Sequence, residues 1–240
     1  MKGDHSRDDL LRFLCDARLR ANPPQDFLLE PEKARRMARF LARRYYRGCF
    51  NRSFRFTQGF AAQTGRVAAD VLSGSQFEQF VEESVLGSFD SARRVGVMAV
   101  VHLDAAQHPG PWWRDLVEYE CACFLQEATS EQVARIRRHR RAASAVCRTF
   151  AWWLPGVLEH LRAGRPASGD LRRECTLLFS RSAGGRPVVV ELERDAASVF
   201  RSTNGYRTPE QIASAAAVPL DQAAGVLEQL VEVGAIKPPA

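Results

Sequence analysis

The sequence predicts an α+β protein that is mostly α: a helical bundle over residues 1–143, then a winged-helix-like module over residues 144–240, built from a β-hairpin or three-stranded sheet plus three helices. Three observations predict it. From residue 6 to about 128, apolar residues recur at the 3.6-residue spacing of amphipathic helices, separated by short Gly and Pro punctuation. Residues 175–180 and 187–192 are strand-like runs flanking Gly184-Gly185, a pair that accepts the positive φ of a hairpin turn. Three short helical patterns, each with its own start or stop signal, follow directly.

Taken in order, Ser6-Arg-Asp-Asp starts a first helix with Leu10, Leu11, Leu14 and Leu19 on its apolar side, and Asn22-Pro-Pro ends it. Pro31 opens a long helix to about Cys49, with Met37, Phe40, Leu41 and Tyr45 on one face and Arg36, Arg39, Arg43 and Arg47 on another. Helices are then expected over residues 57–72, 75–86, 91–106 and 112–128, the second opened by Ser75-Gln-Phe-Glu as a capping box. Five arginines crowd residues 135–141. They read either as a solvated helix end or as an electropositive patch that docks an acidic partner surface or an acidic leader. The domain boundary is placed near residue 143.

Beyond it, residues 146–151 suit another strand beside the hairpin, and residues 154–163 a tethering helix. A helix after the hairpin turns Ala197 and Phe200 inward and stops at Asn204-Gly205. Thr208-Pro-Glu-Gln supplies an N-cap hydroxyl, a first-turn proline and a Gln three residues on, with Ile212 and Ala216 inside. Pro219 opens the last helix, with Leu220, Ala223, Leu227, Leu230 and Val231 as its inner face and Gly234 at its end.

A module of this shape can read DNA or accept a peptide as an extra strand. The outer face of the last helix is Asp221, Gln222, Gly225, Glu228, Gln229 and Glu232, and residues 170–240 carry eight Lys and Arg against nine Asp and Glu. That charge repels phosphate backbones. The whole chain is +6, so the basic excess lies in the front part. A winged-helix transcription regulator with a helical dimerisation or sensing domain is the alternative reading.

Strand addition fits a resemblance. Leu177-Leu-Phe, Val188-Val-Val-Glu-Leu, Ala196-Ala-Ser-Val-Phe, Asn204-Gly-Tyr-Arg-Thr-Pro-Glu-Gln-Ile-Ala and Leu227-Glu-Gln-Leu-Val-Glu-Val-Gly-Ala-Ile resemble PqqD and the RiPP recognition elements built on it. The resemblance implies that a precursor peptide's leader pairs with Val188, Val189, Val190, Glu191 and Leu192, and packs on Ala224, Leu227, Glu228 and Val231. Asn204 departs from the Asp usual before the Gly. In the front half, Tyr45-Tyr-Arg, Phe77-Glu-Gln-Phe-Val and Trp112-Trp-Arg-Asp-Leu-Val-Glu-Tyr-Glu-Cys-Ala are similar to the helical domain of partner proteins of multinuclear non-heme iron oxidative enzymes.

Together these features are most similar to the TglI-like partner proteins. That similarity implies a non-catalytic subunit of a heterodimer, which presents a ribosomally made precursor peptide to an iron enzyme for modification of a C-terminal cysteine with excision of its β-carbon. Iron belongs to the partner, and no cofactor to this chain. Trp112, Trp113, Asp115, Glu118, Arg137 and Arg138 are the candidates for enzyme docking. Neither nucleic acid nor membrane is expected as a partner.

Other chemistry has little support in the sequence. No Gly-rich phosphate loop, Gly-x-Ser-x-Gly or Cys-x-x-Cys occurs. The six cysteines lack regular spacing, and Cys121 and Cys123 fall on different faces of a helix. His102, Asp104 and His108 would give an Asp104–His108 surface pair rather than a metal site. Asp115, Glu118 and Glu120 read either as partner-facing charges or as a solvated stripe. The start of the chain lacks an apolar h-region, and residues 95–101 are too few to span a bilayer, so a cytoplasmic protein is expected.

Overall fold

The computed structural model describes residues 7–23, 30–105, 107–130, 139–182 and 184–238. They are mostly helical with a small antiparallel sheet, in two compact units: Met1–Pro109 with Glu127–Ser130, and Gly110–Gln126 with Glu131–Ala240. Among the described residues no helix is long and apolar enough to cross a membrane.

The first unit opens with α1 (Arg7–Cys15) and α2 (Ala17–Ala21). The continuous helix expected here breaks at Asp16, whose carboxylate accepts the Arg18 N–H at 2.8 Å and caps α2. The long α3 (Pro31–Ser53) runs on past Cys49. Its buried stripe is Ala34, Ala38, Ala42, Tyr46 and Cys49, while Phe40 is 62% exposed. The inner face is therefore rotated from the one that the bulky residues suggested. Three alanines at i, i+4 and i+8 allow neighbouring helices to approach closely, which the larger side chains would prevent.

The helix expected over residues 57–72 is three pieces: α4 (Arg55–Gly59), α5 (Ala61–Thr64) and a 3-10 turn, Ala68–Ser73. Gly65, at φ 67°, ends α5 in the left-handed region, and the Asp70 carboxylate takes the Val67 N–H at 3.0 Å. In α6 (Ser75–Glu83) the N-cap is Gly74, so Ser75 lies inside the helix and caps nothing. Ser88 caps α7 (Phe89–Asp104) by accepting the Ser91 N–H at 3.2 Å. Tyr46 meets Phe77 edge-on with centroids 6.1 Å apart, and Arg39 reaches Glu82 at 2.9 Å, fastening α3 to α6.

In the second unit, α8 (Trp113–Ala128) contributes all but its last two residues. The second compact unit begins at Gly110, and α8 packs on the sheet. That sheet has the order β2-β3-β4, antiparallel throughout: β2 (Val146–Phe150), β3 (Cys175–Arg181) and β4 (Pro187–Glu191). Ahead of it β1 (Arg140–Arg141) pairs with β5 (Ile236–Lys237), a short contact no sequence pattern announced. Between β2 and β3 lie α9 (Leu154–Arg162) and a 3-10 turn, Gly169–Leu171; after β4 come α10 (Arg194–Ser202), α11 (Pro209–Ala216) and α12 (Leu220–Glu232).

Both faces of β3 are covered, so Leu177, Leu178, Phe179 and Ser180 are buried in succession rather than in alternation. On one face Leu178 joins the core of Val199, Phe200, Ile212, Ala223, Leu227 and Leu230 from α10, α11 and α12. On the other, the Phe179 ring meets Tyr119 of α8 at 5.5 Å and Phe150 at 6.3 Å. The hairpin turn forms as the glycines suggested, with Gly185 at φ 73° and the Gly185 N–H donated to Ser182 at 2.8 Å. Thr208 and Gln211 make both bonds of the capping box that starts α11. Leu220, expected inside, is 48% exposed at the first turn of α12.

Candidate functional site

The candidate site is built from β4 and α12. Strand β4 pairs with β3 on one side, and among the described residues no strand pairs with its other side. The hydrogen-bond phase fixes which peptide groups face outward. Ser182 N–H donates to Arg186 O at 3.0 Å and Leu192 N–H to Thr176 O at 2.8 Å, in register with Leu178↔Val190 and Ser180↔Val188. Antiparallel pairs alternate, so Val188 and Val190 bond inward to β3 while the N–H and C=O of Val189 and Glu191 point to the open rim. Val189 is 39% exposed, unusual for a large apolar side chain on a strand.

Beside this rim lies a cavity of about 400 Å³. Leu178, Val190 and Leu192 form its sheet side, Val226, Leu230 and Val233 its helix side, and Glu193, Asp195, Gln222 and Gln229 its polar margin. Its width is set by contacts at one end. Ser180 Oγ donates to Val233 O at 2.7 Å, and Gly234, at φ 71°, lets the chain pass against the Arg181 carbonyl. At the other end the Gln222 amide donates to Asp195 at 3.0 Å. The cavity is thus apolar inside, acidic at its margin and open along a hydrogen-bonding edge. An extended backbone can bond to such an edge while alternate side chains enter the cavity.

The expected docking strand, Val188 to Leu192, coincides with this edge. The expected helical wall does not coincide with the cavity. Leu227 is 2% exposed within the core, and Ala224, Glu228 and Val231 lie off the lining; the wall is instead the ridge of Gln222, Val226, Gln229, Leu230 and Val233. That ridge has the i, i+4, i+7, i+8 spacing of a single helix face, so the periodicity was visible but its assignment to the groove was not.

The residues considered for enzyme docking are placed differently. Trp112 and Trp113 are 5% and 0% exposed and belong to the interior. The Asp115 carboxylate accepts the Trp152 N–H at 2.9 Å, and Glu118 meets Arg148 of β2 at 3.1 Å and Arg114 at 3.5 Å. Burial raises the Asp115 carboxyl above its usual range, against the pull of the Trp152 and Ala151 N–H groups. Glu120 is buried rather than part of a solvated stripe. Arg137 and Arg138 lie outside the described residues.

The remaining candidates are dispersed. His108 sits 3.6 Å from Asp104, as the spacing suggested, whereas His102 turns to Asp70 at 3.3 Å. Among the described residues no three His, Cys, Asp or Glu side chains stand together as a metal site. Burial pushes the Cys121 thiol up to about 11 and also raises Cys15, Cys147 and Cys175. No family model matches the chain, and no curated protein matches it in sequence.

Proposed function

We propose that this chain is a non-catalytic, cytoplasmic partner subunit that binds the leader of a ribosomally made precursor peptide and presents it to a separate iron-dependent oxidative enzyme. The observation that carries the reading is the open rim of β4 beside the cavity it forms with α12. A leader laid along that rim bonds to the outward peptide groups of Val189 and Glu191 and is gripped through alternate side chains. The resemblance to PqqD-type recognition elements supports the same use of the strand, and the resemblance to TglI-like partners supplies the oxidative enzyme and the C-terminal cysteine as its target.

In this scheme the chain contributes binding and position. Holding the leader while docked to the enzyme raises the local concentration of the peptide's reacting end, on the order of millimolar for a short flexible tether. The redox chemistry is assigned to iron in the other subunit. Asp221, Glu228 and Glu232 on the exposed side of α12 disfavour the nucleic-acid alternative.

Co-expression with a neighbouring iron enzyme and its precursor tests the proposal. The three components are expected to co-purify, and the isolated chain to hold no stoichiometric iron. Tight iron in the isolated chain, or salt-dependent binding to random duplex DNA without peptide retention, would replace it.

A further inference from the structure

We infer that the peptide taken up along β4 is basic, with Lys or Arg facing the carboxylates at the end of the strand and apolar residues at the alternate positions that enter the cavity. The inference rests on the strand-addition reading and adds the chemistry of the ligand. A strand paired to β4 sends successive side chains to opposite faces of the sheet. Those beside Val188 and Val190 turn to the α12 side, where Leu178, Val226 and Leu230 offer only hydrocarbon. Those beside Val189 and Glu191 turn to the other face, where a side chain directly across from Glu191 is favoured if it is cationic.

The charges that the peptide meets are named by the structure. Glu193 and Asp195, both exposed, stand at the cavity margin where β4 passes into α10, and among the described residues no Lys or Arg lines the cavity. Three nearby cations are differently placed. Arg194 is exposed between the two acids in sequence and lies off the lining. Arg173 is stacked 4.1 Å over the Trp153 ring, whose Nε1 donates to Glu191 at 3.1 Å. Arg181 sits at the hairpin end, with its Nε donated to Gly185 O. The donor that reaches Asp195 is the neutral amide of Gln222, which does not cancel the carboxylate charge. An acidic leader would meet repulsion at Glu193 and Asp195, and Asp221, Glu228 and Glu232, off the lining, add the same sign to the exposed side of α12.

Selection from a phage-displayed library of random dodecapeptides tests this, with the full chain as bait and Val189→Pro as counter-bait. The expected pool is net positive, with apolar residues at alternate positions. Fluorescence anisotropy of its members should show affinity falling tenfold or more on Glu193→Gln/Asp195→Asn, with circular dichroism unchanged, and falling again between low and moderate salt. Both acids also complement the first turn of α10, so the variant is judged by binding at constant fold. A neutral or acidic pool, or affinity indifferent to the double variant, overturns the charge inference and leaves strand addition standing. A pool that binds Val189→Pro equally well, or no enrichment, overturns strand addition itself.

Discussion

The Asp115 carboxylate on α8 accepts the backbone N–H of Trp152 at 2.9 Å, tying the helix to the chain leaving β2. A titratable group thus holds a structural joint, and its sign can be read from pH. Burial places the folded pKa above the unfolded value of about 3.9. The folded chain then binds that proton more tightly, so the contribution is full below the unfolded pKa and is lost as pH rises through the folded one. Relative to Asp115→Asn, which keeps an acceptor but cannot ionise, the wild type should lose stability as pH rises across the carboxylate range. Urea midpoints of the two proteins at several pH values measure the difference; a wild-type stability, relative to the variant, that stays constant or rises with pH would contradict the assignment.

Proline substitution distinguishes the two kinds of peptide group on β4. Val189→Pro removes an outward N–H and leaves the ladder to β3 intact, so leader binding should weaken by roughly three- to tenfold, the worth of one net hydrogen bond, with little change in thermal midpoint. Val190→Pro removes an inward donor and should cost stability, about 2 kcal/mol or more. Calorimetric titration alongside thermal unfolding of both variants checks the pair.

Gly234→Ala should destabilise the second unit by on the order of 2 to 3 kcal/mol. The added Cβ would overlap the Arg181 carbonyl oxygen, a backbone atom with nowhere to turn, and φ 71° is itself unfavourable for alanine. Gly225, where a Cβ meets nothing within 4 Å, is the control, and Gly225→Ala should leave stability equal or slightly higher. Denaturant unfolding of the two variants gives the comparison.

Trp113→Ala should behave as a core deletion, costing about 3 to 5 kcal/mol, because its side chain is fully buried. Any loss of co-purification with the proposed enzyme partner in this variant should therefore track loss of folded protein, which circular dichroism on the same sample reports.

The native thiols should resist alkylation. With Cys121 pushed up to about 11, the thiolate available at mildly alkaline pH is on the order of a hundredfold less than for free cysteine. Iodoacetamide labelling followed by peptide mass spectrometry should show Cys121 and Cys175 modified far faster in urea than in buffer.

Much of the C-terminal fold was legible because local chemistry decided it. Gly184-Gly185 named the hairpin, Thr208 and Gln211 named the start of α11, and Val146 to Phe150 joined the sheet as its pattern suggested. What sequence missed depended on neighbours. On α3 the bulky Phe40 suggested an inner face, yet close helix approach selected the alanine stripe. Ser75-Gln-Phe-Glu had the letters of a capping box, but Gly74 took the cap position. Helix α8 was counted with the bundle because a helix following helices is assigned to them by default; only the contacts of Tyr119 and Glu118 with β3 and β2 assign most of it to the sheet. The open-edged strand could be named from its residues, but the wall of the cavity beside it could not, since that requires knowing which face of α12 passes β4.

The bond from Ser180 to Val233 and the close passage of Gly234 by Arg181 fasten the hairpin to the end of α12. For the proposed peptide uptake this joint fixes the spacing of strand and helix, so the conformational entropy lost on association would fall chiefly on the incoming chain. Stiffening that chain in an extended shape, by a proline outside the paired segment or by a cyclising link, should tighten its hold without any new contact.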